Sequence, residues 1–151
     1  MRHFVPVLKI IAETPDDVWG IDICTCSARE LEQILTLERE ISRALSVKDK
    51  ATSVTLTTKV MLGVFGNVPA IDTFVFNSLA ALVGIRAYQL DRVSASAFAD
   101  FYVRHKPEID RAHISTLDFS TGQPTKRLYP TAKKVDMILF TAGQQATGTR
   151  T

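Results

Sequence analysis

The chain has 151 residues, of which 46% are apolar and 23% charged, and its formal net charge is +2. This length and balance predict one compact globular domain and exclude wholesale disorder and a collagen-like chain. No run reaches the roughly 18–20 consecutive apolar residues of a membrane span, and residues 1–14 lack the pattern of a cleaved signal peptide. We therefore expect a cytoplasmic protein without a membrane partner.

The N-terminal residues before position 26 contain two apolar, partly β-branched segments, 4–12 and 18–25. A threonine, a proline and two aspartates at 14–17 separate them and predict a turn. Because β-branched residues favour extended backbone, we expect short extended or irregular pieces here.

The only cysteines, Cys24 and Cys26, are separated by one residue. Structural disulfides rarely use this spacing, and it supplies only two of the four ligands of a zinc site. None of the three histidines, His3, His105 and His113, has the spacing of a zinc finger. The sequence favours two small apolar side chains in a reduced protein over a redox or metal pair, and it predicts no metal site and no cofactor.

A long amphipathic helix is predicted over residues 27–47. Ser27 and Glu30 have the spacing of a capping box, which satisfies backbone N–H groups at a helix start. Apolar residues then recur at helical spacing, namely Leu31, Ile34, Leu35, Ile41 and Leu45. This periodicity predicts a helix with one buried face.

The most apolar part of the chain is residues 54–85, where Lys59 and Asp72 are the only charged residues. A stretch with so few charges predicts a central, buried position. A glycine, an asparagine and a proline within 66–69 divide it into two helices, 53–65 and 72–83. Asp72 would cap the second helix at its start, and Gly84 would end it. We expect a buried αα hairpin, in which alanine at Leu62, Phe76 or Leu79 should cost about 2–5 kcal/mol if the side chain is fully buried.

The rest of the chain predicts three more helices. They run from Ser94 or Ser96 to about His105, from Pro107 to Ile114, and from Pro130 to about Gly143. A loop is expected at 120–125, and residues 144–151 are expected to form a flexible tail. The predicted fold is therefore mainly α: a compact single-domain helical bundle, residues 1–143, around the αα hairpin.

Three aromatic residues of the first of these helices, Phe98, Phe101 and Tyr102, allow two interpretations. They could stack on nucleic-acid bases. Their i, i+3, i+4 spacing is, however, that of an ordinary core helix, and we expect them in the core.

Residues 57–79 resemble a stretch of the helix-hairpin-helix superfamily of base-excision DNA glycosylases. The similarity lies in Val68-Pro69-Ala70-Ile71-Asp72-Thr73, because in that family a glycine turn and an apolar residue precede an Asp-Thr pair that opens the next helix. The resemblance, over about residues 54–84, implies that Asp72 occupies the position of the family's catalytic aspartate.

The chain also departs from that family. Residues 48–55 contain no glycine, so the family's phosphate-binding hairpin is not expected there. The nucleophilic lysine of bifunctional members would fall near Thr55, one helical turn before Lys59, and the iron–sulfur cysteines are absent. A lyase reaction through a Schiff base is therefore not expected.

Basic residues are concentrated at the C-terminal end. The first 50 residues have 7 basic and 9 acidic side chains, whereas residues 101–151 have 8 and 4. Such a bias could serve phosphate contacts or simply solubility. If the protein binds DNA, the candidate phosphate contacts are Lys59, Lys126, Arg127, Lys133 and Lys134.

Asp72 itself has two interpretations. It could only cap a helix, a role worth about 1 kcal/mol. It could also stabilise a cationic sugar or activate a water molecule. A carboxylate that lines a positively rimmed cleft would favour the second role over a carboxylate sealed in the core.

Two hypotheses about function follow. The first is a non-enzymatic interaction or assembly module that forms a homo-oligomer or binds another protein, because no complete catalytic set is evident. The alternative is a helix-hairpin-helix-like DNA-binding protein or degenerate DNA glycosylase that uses Asp72.

Overall fold

The structure is a computed structural model that describes residues 4–47 and 51–148. Within these ranges it contains eight helices and one two-stranded antiparallel sheet, so the prediction of a mainly α fold is confirmed. The elements are α1 (Val5–Glu13), α2 (Asp16–Trp19), α3 (Ala28–Leu45), α4 (Val54–Val64), α5 (Thr73–Leu82), α6 (Arg92–Arg104), α7 (Lys106–Arg111), β1 (Ser115–Leu117), β2 (Pro124–Leu128) and α8 (Thr131–Gly148). None of the helices in the described ranges combines the length and apolar character needed to cross a membrane.

The first apolar segment, residues 4–12, is helical, so the prediction of an extended or irregular piece is wrong there, whereas residues 20–25 of the second segment are irregular, as predicted. Pro6 lies in the first turn of α1, where its missing N–H removes no helical hydrogen bond. Val7, Ile10 and Ile11 pack against the core, and their i, i+3, i+4 spacing matches one helix face. Packing of α1 on α3 therefore outweighs the β-propensity of its branched residues.

Helix α3 begins as predicted, at a capping box. Glu30 N donates to Ser27 Oγ over 3.3 Å, and Ser27 N donates to a Glu30 carboxylate oxygen over 2.7 Å. Its buried residues, Ile34, Leu35, Leu37 and Ile41, face α1 and α4. Helix α3 thus supplies one side of the core.

Helices α4 and α5 lie close to their predicted bounds, and Gly84 ends α5 in the left-handed conformation, with φ +80°. Their packing differs from a simple αα hairpin, because α5 packs most extensively against α8 and α4 against α3. Leu79 is fully buried and so meets the condition for the full cost of an alanine substitution. Leu62 and Phe76, however, are only half-buried, because Leu62 lines an open cleft and Phe76 packs on the exposed ring of Tyr88.

Helix α8 passes through Gly143 and continues to Gly148, so Gly143 does not end it. Gly143 is buried where α8 crosses α5, and a Cβ atom there would lie 2.3 Å from the carbonyl oxygen of Phe74. The glycine therefore permits close helix packing. Of the predicted tail, residues 144–148 belong to this helix and residues 149–151 lie outside the described ranges.

Helix α6 begins earlier than predicted, because Asp91 and not a serine is its N-cap. Asp91 Oδ1 accepts hydrogen bonds from the N–H groups of Val93 and Ser94 over 3.0 and 2.9 Å. The aromatic residues of this helix, Phe98, Phe101 and Tyr102, are buried in the core, as expected. Helix α7 ends at Arg111, short of the predicted Ile114.

The segment between α7 and α8 contains a β-hairpin, residues 115–128, where the sequence predicts the end of a helix and a loop. Ser115 pairs with Leu128 and Leu117 with Pro124, with an irregularity between them. The connecting turn is held by Asp118, whose Oδ1 accepts from Ser120 N and Thr121 N.

Candidate functional site

An open cleft of about 880 Å³ lies between α4, the 65–72 junction, the β-hairpin and the first half of α8. Its charged lining residues are Lys59, Asp72, Arg127, Lys133 and Asp136. The apolar and aromatic part of its lining includes Leu62, Val64, Phe65, Tyr129, Met137 and Phe140. The volume is within the range of about 300–1,000 Å³ that is usual for ligand sites.

The cleft brings together four of the six residues that the sequence singled out, namely Lys59, Asp72, Arg127 and Lys133. The other two, Lys126 and Lys134, do not line it. Lys134 Nζ donates to the carbonyl oxygen of Ile109 over 2.8 Å, so it caps the C-terminal end of α7. Lys126 is exposed on β2.

Asp72 lines the cleft and caps α5 at the same time. Its Oδ1 accepts hydrogen bonds from Phe74 N and Val75 N over 3.0 and 3.1 Å. Its Oδ2 lies 3.7 Å from Lys59 Nζ, and the Asp72 side chain is 12% exposed. One carboxylate oxygen is thus committed to the helix, whereas the other faces a cation.

Asp136 is a second carboxylate of the cleft, which the sequence analysis missed. It is buried, its Oδ1 accepts from Ala70 N over 2.9 Å, and its Oδ2 lies 3.3 Å from Lys133 Nζ. It therefore ties α8 to the junction before α5. The sequence does indicate that Asp136 is buried, because it shares the spacing of one helix face with Ala132, Val135 and Leu139. A charged residue on a buried face requires a partner.

Two threonine hydroxyl groups of α4 fix the end of the same junction. Thr58 Oγ1 accepts from Ile71 N over 2.9 Å, and Thr55 Oγ1 donates to Ile71 O over 2.8 Å. At the junction's start, Gly66 has φ +66°, and a Cβ there would lie 2.8 Å from Pro130 Cγ. The backbone that carries Asp72 is therefore held from two elements.

At the β-hairpin, two side chains on the rim of the cleft have no partner among the described residues. The Arg127 guanidinium is exposed and has no hydrogen bond or ion pair among the described residues. Tyr129 is half-buried, and within the same ranges its side chain makes no ring contact or hydrogen bond. Arg127 is the only cation of the cleft, in the described part of the chain, that does not pair with a carboxylate.

The cysteines lie away from this cleft and are free thiols. Burial raises the pKa of the Cys24 thiol, and the neighbouring Asp22 raises it further, so the thiol stays protonated and poorly reactive. Asp22 accepts from Ala132 N over 2.7 Å at the start of α8, and its burial raises its own pKa.

Metal-ligating residues are scattered in the described ranges, where no three histidine, cysteine, aspartate or glutamate side chains lie close enough to hold an ion. His105 instead contacts the ring of Phe101. His3 lies outside the described residues.

The cleft thus offers three chemically different groups to a ligand. Arg127 can pair with an anion, Tyr129 can stack on a flat ring, and Asp72 presents a carboxylate oxygen beside Lys59. A ligand that combines an anionic group with a flat, weakly polar ring matches this set.

Compared with protein-family models, curated proteins and solved structures, the chain has no match. The resemblance of residues 54–84 to helix-hairpin-helix glycosylases therefore stays a prediction.

Proposed function

We propose that the chain is a nucleic-acid-binding protein whose cleft takes one nucleotide of a strand, with the phosphate at Arg127 and the base on the ring of Tyr129. One observation carries this proposal. A guanidinium and an aromatic ring, two residues apart on the edge of one cleft, both lack partners among the described residues.

The guanidinium favours a phosphate because its planar fork of N–H donors matches the oxygens of a phosphodiester. Lys59 and Lys133 lie in the same cleft but are compensated by Asp72 and Asp136. The cleft as a whole therefore carries a small positive excess, centred on Arg127. This excess suits a singly charged phosphodiester.

The ring of Tyr129 favours a base because stacking is possible with every base and contributes about 1–3 kcal/mol for each. Leu62, Val64 and Phe140 line the same cleft and would remove water from a base held there. Since stacking and a phosphate contact read no sequence, we expect binding with little sequence preference.

The proposal is tested with a fluorescent single-stranded DNA oligonucleotide of mixed sequence, titrated at low salt. Arg127→Gln should weaken binding about tenfold, which is the value of one charged hydrogen-bonded contact. It should also reduce the slope of log affinity against log salt concentration by the amount expected for about one phosphate contact. Arg86→Gln is the matched control, because Arg86 is exposed and does not line the cleft. Equal weakening by both variants, or no binding by the wild type, would contradict the proposal.

A second pair of variants tests the ring. Tyr129→Ala should weaken binding about tenfold, whereas Tyr129→Phe should keep the affinity, because stacking needs the ring and not the hydroxyl group. If Tyr129→Phe binds as poorly as Tyr129→Ala, the base does not stack on this residue.

The position of Asp72 supports a second candidate function, hydrolysis of a glycosidic bond in the bound strand. Its Oδ2 is not used by the helix cap, and Asp72 lines the cleft, so this oxygen could stabilise a cationic sugar or activate water there. Wild-type protein would then release bases from duplexes that contain uracil, oxidised guanine or alkylated purines. Release no faster than that of Asp72→Asn would rule this activity out.

A further inference from the structure

A second groove, of about 720 Å³, lies between α1, α2 and α3, on residues that the cleft does not share. Its apolar part includes Ile10, Val18 and Leu37, and its acidic part includes Glu13, Glu32 and Glu40, with Arg29 as the only basic lining residue in the described part of the chain. We refer to these lining residues as the acidic groove. Such a surface fits a partner that offers an apolar side chain beside a cation.

One carboxylate of the acidic groove is uncommitted. Glu13 lies 3.8 Å from Lys9, and Glu32 pairs with Arg92 over 2.8 Å. Glu40 has no ion pair among the described residues. A cation from outside can therefore pair with Glu40 without displacing an internal partner.

The β-hairpin presents the complementary chemistry. Phe119, in its turn, is fully exposed, and Leu117 and Leu128 are each more than half exposed. Lys126 lies on the same β-hairpin, exposed and without a partner in the described part of the chain. We call these four residues the hairpin tip surface, and none of them lines the cleft.

The turn that carries Phe119 is already ordered. Asp118 Oδ1 accepts hydrogen bonds from Ser120 N, Thr121 N and the Thr121 hydroxyl group, and Gly122 has φ +68°. An aromatic side chain on a preformed turn loses little conformational entropy on docking. This favours a binding role for Phe119.

We propose that the hairpin tip surface of one copy of this chain docks into the acidic groove of a second copy, with Phe119 against the apolar lining and Lys126 at Glu40. The occupant is a second copy because one chain carries both surfaces, and they match in charge and in apolar character. The sequence is acidic over residues 1–50, which carry the groove, and basic over residues 101–151, which carry the tip. This difference adds to the attraction between Lys126 and Glu40.

The geometry of such a contact has a consequence for assembly. In the proposed contact one tip occupies one groove, which is a head-to-tail arrangement that leaves one groove and one tip of every pair unused. Association should therefore grow with protein concentration and weaken with salt. Arg127 and Tyr129 take no part in it, so it does not depend on nucleic-acid binding.

The test is the molar mass of the protein in solution, measured by sedimentation over a range of concentrations at low salt. The wild type should form dimers and larger species, whereas Phe119→Ser and Glu40→Lys should each weaken association about tenfold or more, because central aromatic and charged contacts dominate interfaces. Val103→Ser is the control, since Val103 is exposed on α6 and belongs to neither surface. Circular dichroism melts should show that all three variants fold.

A mixture of the two defective variants gives the most specific result. Phe119→Ser keeps an intact acidic groove, and Glu40→Lys keeps an intact hairpin tip surface, so an equimolar mixture should form dimers but nothing larger. A wild type that stays monomeric at every concentration would overturn the proposal. So would a mixture that contains only monomers, or association that Phe119→Ser leaves unchanged.

Discussion

The two sides of the cleft use their polar groups differently. On the side of the junction and α8, Asp136, Thr58 and Asp72 each accept a backbone N–H group of residues 70–75. On the side of the β-hairpin, Arg127 and Tyr129 have no side-chain partner in the described ranges. The first side stabilises the fold, and the second is the side at which we propose that a ligand binds.

Burial explains this difference. Residues 67–71 are buried in a segment without helical hydrogen bonds, so the N–H groups of Ala70 and Ile71 take acceptors from side chains, and an unsatisfied buried group costs about 1–3 kcal/mol. The β-hairpin is short and largely exposed, where water satisfies polar groups. Arg127 and Tyr129, which make no side-chain hydrogen bond among the described residues, are therefore the residues of the β-hairpin rim to which we assign the proposed binding role.

The largest effect is expected where α5 packs on α8. Leu79→Ala should lower the free energy of unfolding by about 2–5 kcal/mol, because Leu79 is fully buried. Leu62→Ala, at a half-buried position of α4, should cost clearly less. Urea denaturation gives the free energy of unfolding of both variants and checks that Leu79→Ala loses more of it than Leu62→Ala. Equal losses of stability would contradict the packing described for α5.

The close approach of α5 and α8 is tested by Gly143→Ala, which should cost about 1–3 kcal/mol. The added Cβ would meet the backbone of Phe74, which cannot rotate away. Gly63→Ala is the control, because the space beside Gly63 in α4 is open, and there alanine should stabilise by about 0.5–1 kcal/mol. A neutral or stabilising Gly143→Ala would show that the helices do not approach so closely.

Gly143 and Asp136 illustrate what the sequence predicts and what it does not. Local patterns correctly predict the capping box of α3, the cap at Asp72 and the core position of Phe98, because these depend on neighbours within a few residues. The sequence around Gly143 predicts a helix end. Its observed role, which is to let α8 approach the backbone of Phe74, depends on a residue far away in the chain. The partner of Asp136 is likewise a backbone N–H group, at Ala70, which no side-chain pattern reveals.

The sequence does not predict the β-hairpin, for a related reason. Its strands have three and five residues, too few for an alternation of apolar and polar residues to be evident. In the candidate site, the sequence identified Asp72, Lys59, Arg127 and Lys133. It could not place Arg127 and Asp72 in one cleft, because that depends on where the β-hairpin lies relative to α4 and α8.

Asp136→Ala should cost about 1–3 kcal/mol, because it leaves the buried Ala70 N–H group without an acceptor and Lys133 without its carboxylate. Asp136→Asn should cost less, since an amide oxygen can still accept from Ala70 N. Thermal melts of the two variants provide the check. An Asp136→Ala variant as stable as the wild type would remove Asp136 from the structural side of the cleft.

Asp72→Asn should have a small effect on stability, less than about 1 kcal/mol, because asparagine is a comparable N-cap. Asp72→Ala removes the acceptor for Phe74 N and Val75 N and should melt earlier. The pair of variants, followed by circular dichroism, separates the cap from the charge. If Asp72→Asn melts as early as Asp72→Ala, the charge beside Lys59 and not the cap stabilises α5.

The most direct test of the contrast between the two sides measures unfolding and oligonucleotide binding on the same two proteins, Arg127→Gln and Asp136→Ala. Arg127→Gln should unfold at the wild-type urea concentration and bind single-stranded DNA about tenfold more weakly. Asp136→Ala should lose about 1–3 kcal/mol of stability. An Arg127→Gln protein that is destabilised, or that binds as tightly as the wild type, would contradict the account.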